Sequence, residues 1–80
     1  MSPNEAALRS YLKGRFGSYD DDIHKDDSLE GIVDSMGLFE LVEFIEGEFK
    51  VRIPNHEFSP QKFSTISSIL TVIDEFRTDA

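Results

Sequence analysis

The chain has no cysteine, three prolines, five glycines and half as many basic residues as acidic ones, 8 against 16. Without cysteine there is no disulfide framework, no thiolate metal site and no thiol nucleophile of the chain's own, which suits a reducing compartment. No apolar run approaches the ~20 residues that a membrane span requires. The opening MSPNEAALRS also lacks the basic and apolar regions of a signal peptide. The expectation is a cytoplasmic protein. The shortage of lysine and arginine leaves a formal charge of −8, which repels phosphate and argues against nucleic-acid or anionic-membrane binding. It favours partners with basic patches, although solubility alone is the other reading of the same charge.

What is present is enough for one small core. Eighty residues, 39% of them apolar and seven of them phenylalanine, predict a single domain over 1–80. A chain of this length buries only about 60–65% of its unfolded surface. There is no internal repeat, and no stretch alternates with period two for long enough to suggest a sheet.

Helical periodicity dominates instead. Ser2-Pro3-Asn4-Glu5 reads as a helix start, and Leu8, Tyr11, Leu12 and Phe16 follow at helical spacing, giving a first helix over 3–16. Residues 17–34 are polar and rich in aspartate. A connection of that length needs anchors, and Ile23, Leu29 and Ile32 are the candidates. The second helix, 35–49, is the clearest element. Leu38, Leu41, Val42, Ile45 and Phe49 fall on one side, and Glu40, Glu43 and Glu46 on the other. Met36 and Phe39 lie on or beside the acidic side. Ser35 is the expected N-cap, preceded by Asp34. Arg52-Ile53-Pro54-Asn55 breaks the pattern, with Asn55 placed to cap a short third helix within 55–63. Ser64 is placed to cap a last helix over 64–77. The predicted fold is all-α, a small bundle of three main helices and one short one.

Enzymatic chemistry finds little footing here, so no catalytic residue is assigned. A serine nucleophile needs an oriented base, and the two histidines, His24 and His56, are not tied to any serine by the sequence. The acidic run from Asp20 fails as a calcium loop. Its fifth, sixth and twelfth positions are His24, Lys25 and Gly31, where that loop requires an acidic or amide residue, glycine and glutamate. No metal ligand is therefore predicted. What remains is the helix start at Ser35, whose free N–H groups and positive dipole end suit a phosphate. On local physics alone, a plain N-cap serine is the commoner reading of this pattern.

The run Asp34-Ser35-Met36-Gly37, followed by Glu40-Leu41-Val42, Ile45-Glu46, Glu48-Phe49 and Ile53-Pro54, closely resembles the acyl carrier and peptidyl carrier protein family over nearly the whole chain. The resemblance implies an acyl-carrier-type helical bundle that is not itself an enzyme. It implies that Ser35, with Asp34 beside it, receives 4′-phosphopantetheine from coenzyme A, and that cargo is held as a thioester on that arm. The upstream pair Asp27-Ser28 lacks a following amphipathic helix, so Ser28 is not the implied site. Glu40, Glu43 and Glu46, with Met36 and Phe39, become a docking face. The implied partners are a phosphopantetheinyl transferase, an acyl- or aminoacyl-loading ligase and downstream transferases of fatty-acid or secondary-metabolite synthesis. The Asp-Ser-Met-Gly form is similar to that of discrete aminoacyl carriers, the D-alanyl carriers among them. Phe44 stands where fatty-acid carriers tend to have a small residue. With Phe49 and Phe63 it is expected to fill the core, which favours a short acyl or amino-acid cargo. The chain is expected to be a freestanding monomer. The competing reading is an unmodified acidic docking module of the same fold.

Overall fold

The structure, a computed structural model, describes residues 2–54, 56 and 58–77. Among these residues it has three α-helices, α1 (Pro3–Arg15), α2 (Ser35–Phe49) and α3 (Ile66–Glu75), and a 3-10 helix over Pro60–Phe63. The all-α expectation is borne out. The 3-10 turn, opened by Ser59 and Pro60, falls in the second half of the stretch 55–63 where a short helix is expected; Asn55, the expected cap, lies outside the described residues.

Each helix starts where a side chain can satisfy its orphan amides. Ser2 accepts the Glu5 N–H at 3.2 Å and Pro3 takes the first helical position. At α2 the cap is Asp34, not Ser35. The Asp34 backbone is extended and its carboxylate accepts the Gly37 N–H at 2.7 Å, which makes Ser35 the first helical residue. A charged acceptor at the positive end of a helix is at least as good a cap as a serine. At α3 the cap is Thr65 rather than Ser64. Ser64 is spent closing the 3-10 turn, where its hydroxyl donates to the Gln61 carbonyl at 2.8 Å. Thr65 is extended and forms a reciprocal capping box with Ser68.

The apolar stripes meet in one cluster. Leu8 and Leu12 of α1, Leu41 and Ile45 of α2, and Ile66, Ile69 and Ile73 of α3 are fully buried. Each such side chain contributes about 1.5–3 kcal/mol through burial. The predicted phase of α2 holds, with Leu38, Val42 and Phe49 half-buried beside Leu41 and Ile45.

The long connection is ordered by its anchors. Leu29 is buried and Ile23 and Ile32 pack against the core, as expected. Arg9 of α1 adds a polar tether, donating to the Ile23 carbonyl at 2.9 Å and to the Tyr19 hydroxyl at 3.2 Å while paired with Glu5 at 2.9 Å. The hydrogen bond to Tyr19, followed by that to Glu5, raises the Arg9 pKa above its ordinary value. Two backbone bonds then fasten the connection to the entry of α3: Leu29 N–H to the Ser64 carbonyl at 2.7 Å, and Ser67 N–H to the Lys25 carbonyl at 2.9 Å. At the other end, Lys50 ends α2 in the left-handed region, with φ at 55°, and Val51 forms an isolated antiparallel bridge with Arg77. Among the described residues no helix is long and apolar enough to cross a membrane.

Candidate functional site

The end of the molecule that carries Ser35 is built from the first turn of α2, the end of the long connection and the 3-10 turn. Ser35 is exposed. Its amide and that of Met36 are the remaining orphan donors of the helix start, because Asp34 takes the Gly37 amide through its side chain and the Leu38 amide through its carbonyl. Beside Ser35 opens a cleft of about 370 Å³, floored by Leu29, Val33, Leu38 and Phe63 and rimmed by Glu30 and Gln61. Chemically, this corner offers an accessible hydroxyl at the positive end of a helix, with apolar surface next to it. The positive end of a helix suits a phosphoester at such a position. The opposing charge is the Asp34 carboxylate, which is already held by Gly37.

Ser28 stands differently. Its hydroxyl accepts the Glu30 N–H at 3.1 Å and shapes a turn, with no helix following. His24 turns into its own loop, where its backbone N–H donates to Asp27 at 2.9 Å and its Nδ1 accepts the Asp26 N–H at 3.3 Å. Asp20 caps the Asp22 N–H at 2.9 Å, and Asp21 pairs with Lys13 at 3.0 Å.

The face of α2 beyond Ser35 is apolar and acidic, as its periodicity predicts. Met36 is 72% and Phe39 59% exposed, and these are the large hydrophobic side chains most open to solvent among the described residues. Phe39 lies nearly parallel to Phe58, with centroids 5.4 Å apart, and the two rings flank a groove that also meets Val42, Glu43 and Ile53. The three glutamates are not equivalent. Glu43 is exposed and has no hydrogen-bond or ion-pair partner among the described residues. Glu40 is ion-paired with Arg15 of α1. Glu46 accepts the Ile53 N–H at 3.0 Å.

Phe44 does not join Phe63 at the centre. It is half-buried at the seam between α1 and α2, stacked on Tyr11 at 4.0 Å and edge-on to Phe49 at 6.0 Å. Phe63 instead meets Phe58 at 5.7 Å. The ring contacts thus form two separate groups, Tyr11, Phe16, Phe44 and Phe49 in one and Phe39, Phe58 and Phe63 in the other.

Sequence reasoning missed Arg15 and the ring of Phe58 beside Phe39. Arg15 stands at the end of α1 and carries the charge that engages Glu40. Its guanidinium also lies 5.1 Å from the Phe16 ring centroid. A basic residue in the last turn of a helix reads first as a partner for the helix dipole. A bond to the next helix needs the packing angle, which sequence does not supply.

Three helices with a long first connection are consistent with a small all-α acyl-carrier fold. No family model matches the chain. Among curated proteins it is similar to the probable acyl carrier protein PigG of a Serratia species, 37% identical over 46 residues, which is 58% of this chain and 53% of that protein. It is also similar to the D-alanyl carrier proteins of Streptococcus sanguinis and Streptococcus thermophilus, 36% identical over 47 residues, which is 59% of this chain and 60% of theirs. The match therefore spans little more than half the length of these relatives. They are named as carriers, not catalysts, and they bear out the resemblance to acyl and aminoacyl carriers that the residues suggested.

Proposed function

We propose that the chain is an acyl or aminoacyl carrier that holds its cargo as a thioester on 4′-phosphopantetheine attached to Ser35. The observation that carries this reading is the exposed Ser35, first residue of α2, directly behind the Asp34 cap and ahead of the exposed pair Met36 and Phe39. In the attachment step the Ser35 Oγ attacks the pyrophosphate phosphorus of coenzyme A that bears the pantetheine. An Oγ–P bond forms, the bridging P–O bond breaks, 3′,5′-ADP leaves, and the serine proton passes to a base on the transferase. The arm then supplies the thiol that the chain lacks.

The transferase and the loading ligase are proposed to dock their own basic patches onto α2, with Glu43 as the open acid and Met36 and Phe39 as the apolar contact. Steering by the charge of −8 supports this choice of partner. The setting proposed is the cytoplasm. The cargo proposed is a short acyl or aminoacyl group, supported by the relatives named for D-alanine and by Phe63 at the floor of the cleft beside Ser35. Strong thermal stabilisation by a long acyl group over a short one would sink that part.

The test of the whole is intact mass after incubating the apo chain with coenzyme A and a broad-specificity phosphopantetheinyl transferase. One phosphopantetheine is expected on the wild type and on Ser28→Ala, and none on Ser35→Ala. A folded wild type that gains no mass with several transferases would point to the unmodified docking module instead.

A further inference from the structure

Two groups from distant parts of the chain converge on Gly37. A Cβ placed there would lie 2.5 Å from Cε1 and 3.0 Å from Cζ of Phe16, and 3.0 Å from the Asp34 carboxylate oxygen. Gly37 is buried, so the tip of the Phe16 ring occupies the space where a side chain would stand. The ring is buried and has neighbours on more than one side. Its residue closes α1 through a backbone bond to Leu12 at 2.9 Å, its carbonyl accepts the Tyr19 N–H at 3.1 Å, Tyr11 meets it edge-on at 6.1 Å, and Arg15 covers its other face. The Gly37 N–H meanwhile holds the Asp34 carboxylate at 2.7 Å, which fixes the turn in which Ser35 stands.

We propose that Gly37 and Phe16 are positioning residues for the Ser35 hydroxyl. The end of α1 braces the first turn of α2 through a ring seated where only glycine leaves room, and this brace keeps the Asp34 cap closed and Ser35 aimed. The proposal rests on the reading of Ser35 as the phosphopantetheine acceptor. In-line attack on phosphorus is sensitive to aim, and a misplacement of ~1 Å can cost ~100-fold in rate. A methyl at position 37 must displace the ring or the carboxylate, and the carboxylate is the half of the pair that fixes Ser35. None of the groups proposed for docking, Glu43, Met36 and Phe39, is among the atoms that a Cβ at position 37 would meet most closely, so recognition by the transferase should survive.

The experiment is steady-state transfer from coenzyme A by a broad-specificity transferase onto the wild type, Gly37→Ala, Phe16→Leu and the double variant, with circular dichroism to verify folding. Gly37→Ala is expected to lower kcat about tenfold, with KM for the carrier unchanged within twofold. Phe16→Leu, which removes the ring tip that braces this turn but crowds nothing against the Asp34 carboxylate, should lower kcat by less than Gly37→Ala does. The double variant should regain the kcat of Phe16→Leu, because the added methyl then meets no ring. Wild-type kcat in a folded Gly37→Ala would overturn the proposal. So would a raised KM at unchanged kcat, or a folded double variant slower than Phe16→Leu. Should Gly37→Ala fail to fold, the comparison of the double variant with Phe16→Leu still decides. No mass gain by the wild type would overturn both this proposal and the carrier reading, whereas equal kcat in all four proteins would overturn this one alone.

Discussion

The Glu46 carboxylate, near the end of α2, accepts the backbone N–H of Ile53 at 3.0 Å and so ties the helix to the segment that follows it. This contact separates Glu46 from its neighbour on the same face. Glu46→Ala should lower stability by about 1–3 kcal/mol, because a half-buried amide loses a charged acceptor. Glu43→Lys should leave the melting temperature in place and slow transfer of phosphopantetheine several-fold at low salt, with the difference shrinking as salt is added. Thermal melts and transfer rates for the two variants check both halves.

Arg15 already occupies Glu40, as an incoming arginine or lysine of a partner would. Arg15→Gln releases that carboxylate and makes the face more negative. Transfer at low salt should accelerate about twofold, since rim charges act on association. Both side chains are nearly half exposed, so the melting temperature should move little. A slower variant would show that the pair assists docking rather than competing with it.

Leu41 and Ile45 are fully buried in the centre of the cluster. Replacing either by alanine should cost about 2–5 kcal/mol, a large share of the ~5–15 kcal/mol that holds a domain together. Chemical denaturation gives the value directly, and a neutral result at either position would mean that the core lies on another face of α2.

Burial against Phe44, assisted by the Glu40 charge, raises the Tyr11 pKa above its ordinary 10.0. The folded state therefore holds the phenol proton more tightly than the unfolded chain does. That contribution is complete below about pH 10 and is lost as pH rises through the folded value. Tyr11→Phe should flatten the alkaline decline in stability above pH 10 and leave neutral pH almost untouched. Denaturation midpoints at pH 7, 9 and 11 would show the difference.

The helices were legible because burial imposes a period. Leu38, Leu41, Val42, Ile45 and Phe49 mark one side of α2 whatever the rest of the chain does, and Leu29 stands out as an apolar residue in a polar stretch. The caps were harder to read. Asp34 and Ser35, like Ser64 and Thr65, are adjacent residues of equal aptitude, and the backbone of the incoming chain decides which of each pair turns extended. The position of Ser35 in the site was legible, but the state of its neighbours was not. Glu40, Glu43 and Glu46 share a face and a charge, yet one is paired with α1, one holds a backbone amide and one is open. Those differences arise from how α1 and residues 51–53 lie against α2, which no local pattern encodes. Gly37 was legible as part of the Asp-Ser-Met-Gly run, but its packing was not, since a glycine in a helix reads as a weakness until the Phe16 ring is seen against it.

The two backbone bonds that fasten the long connection to the entry of α3 have a mechanical consequence. They gather the approach to Ser35, the 3-10 turn and the head of α3 into a single post, braced on its far side by α1. A group hung from Ser35 would swing from that post while its mounting stays still. On the carrier reading proposed above, the reach of such a group would be set first by the length of its tether.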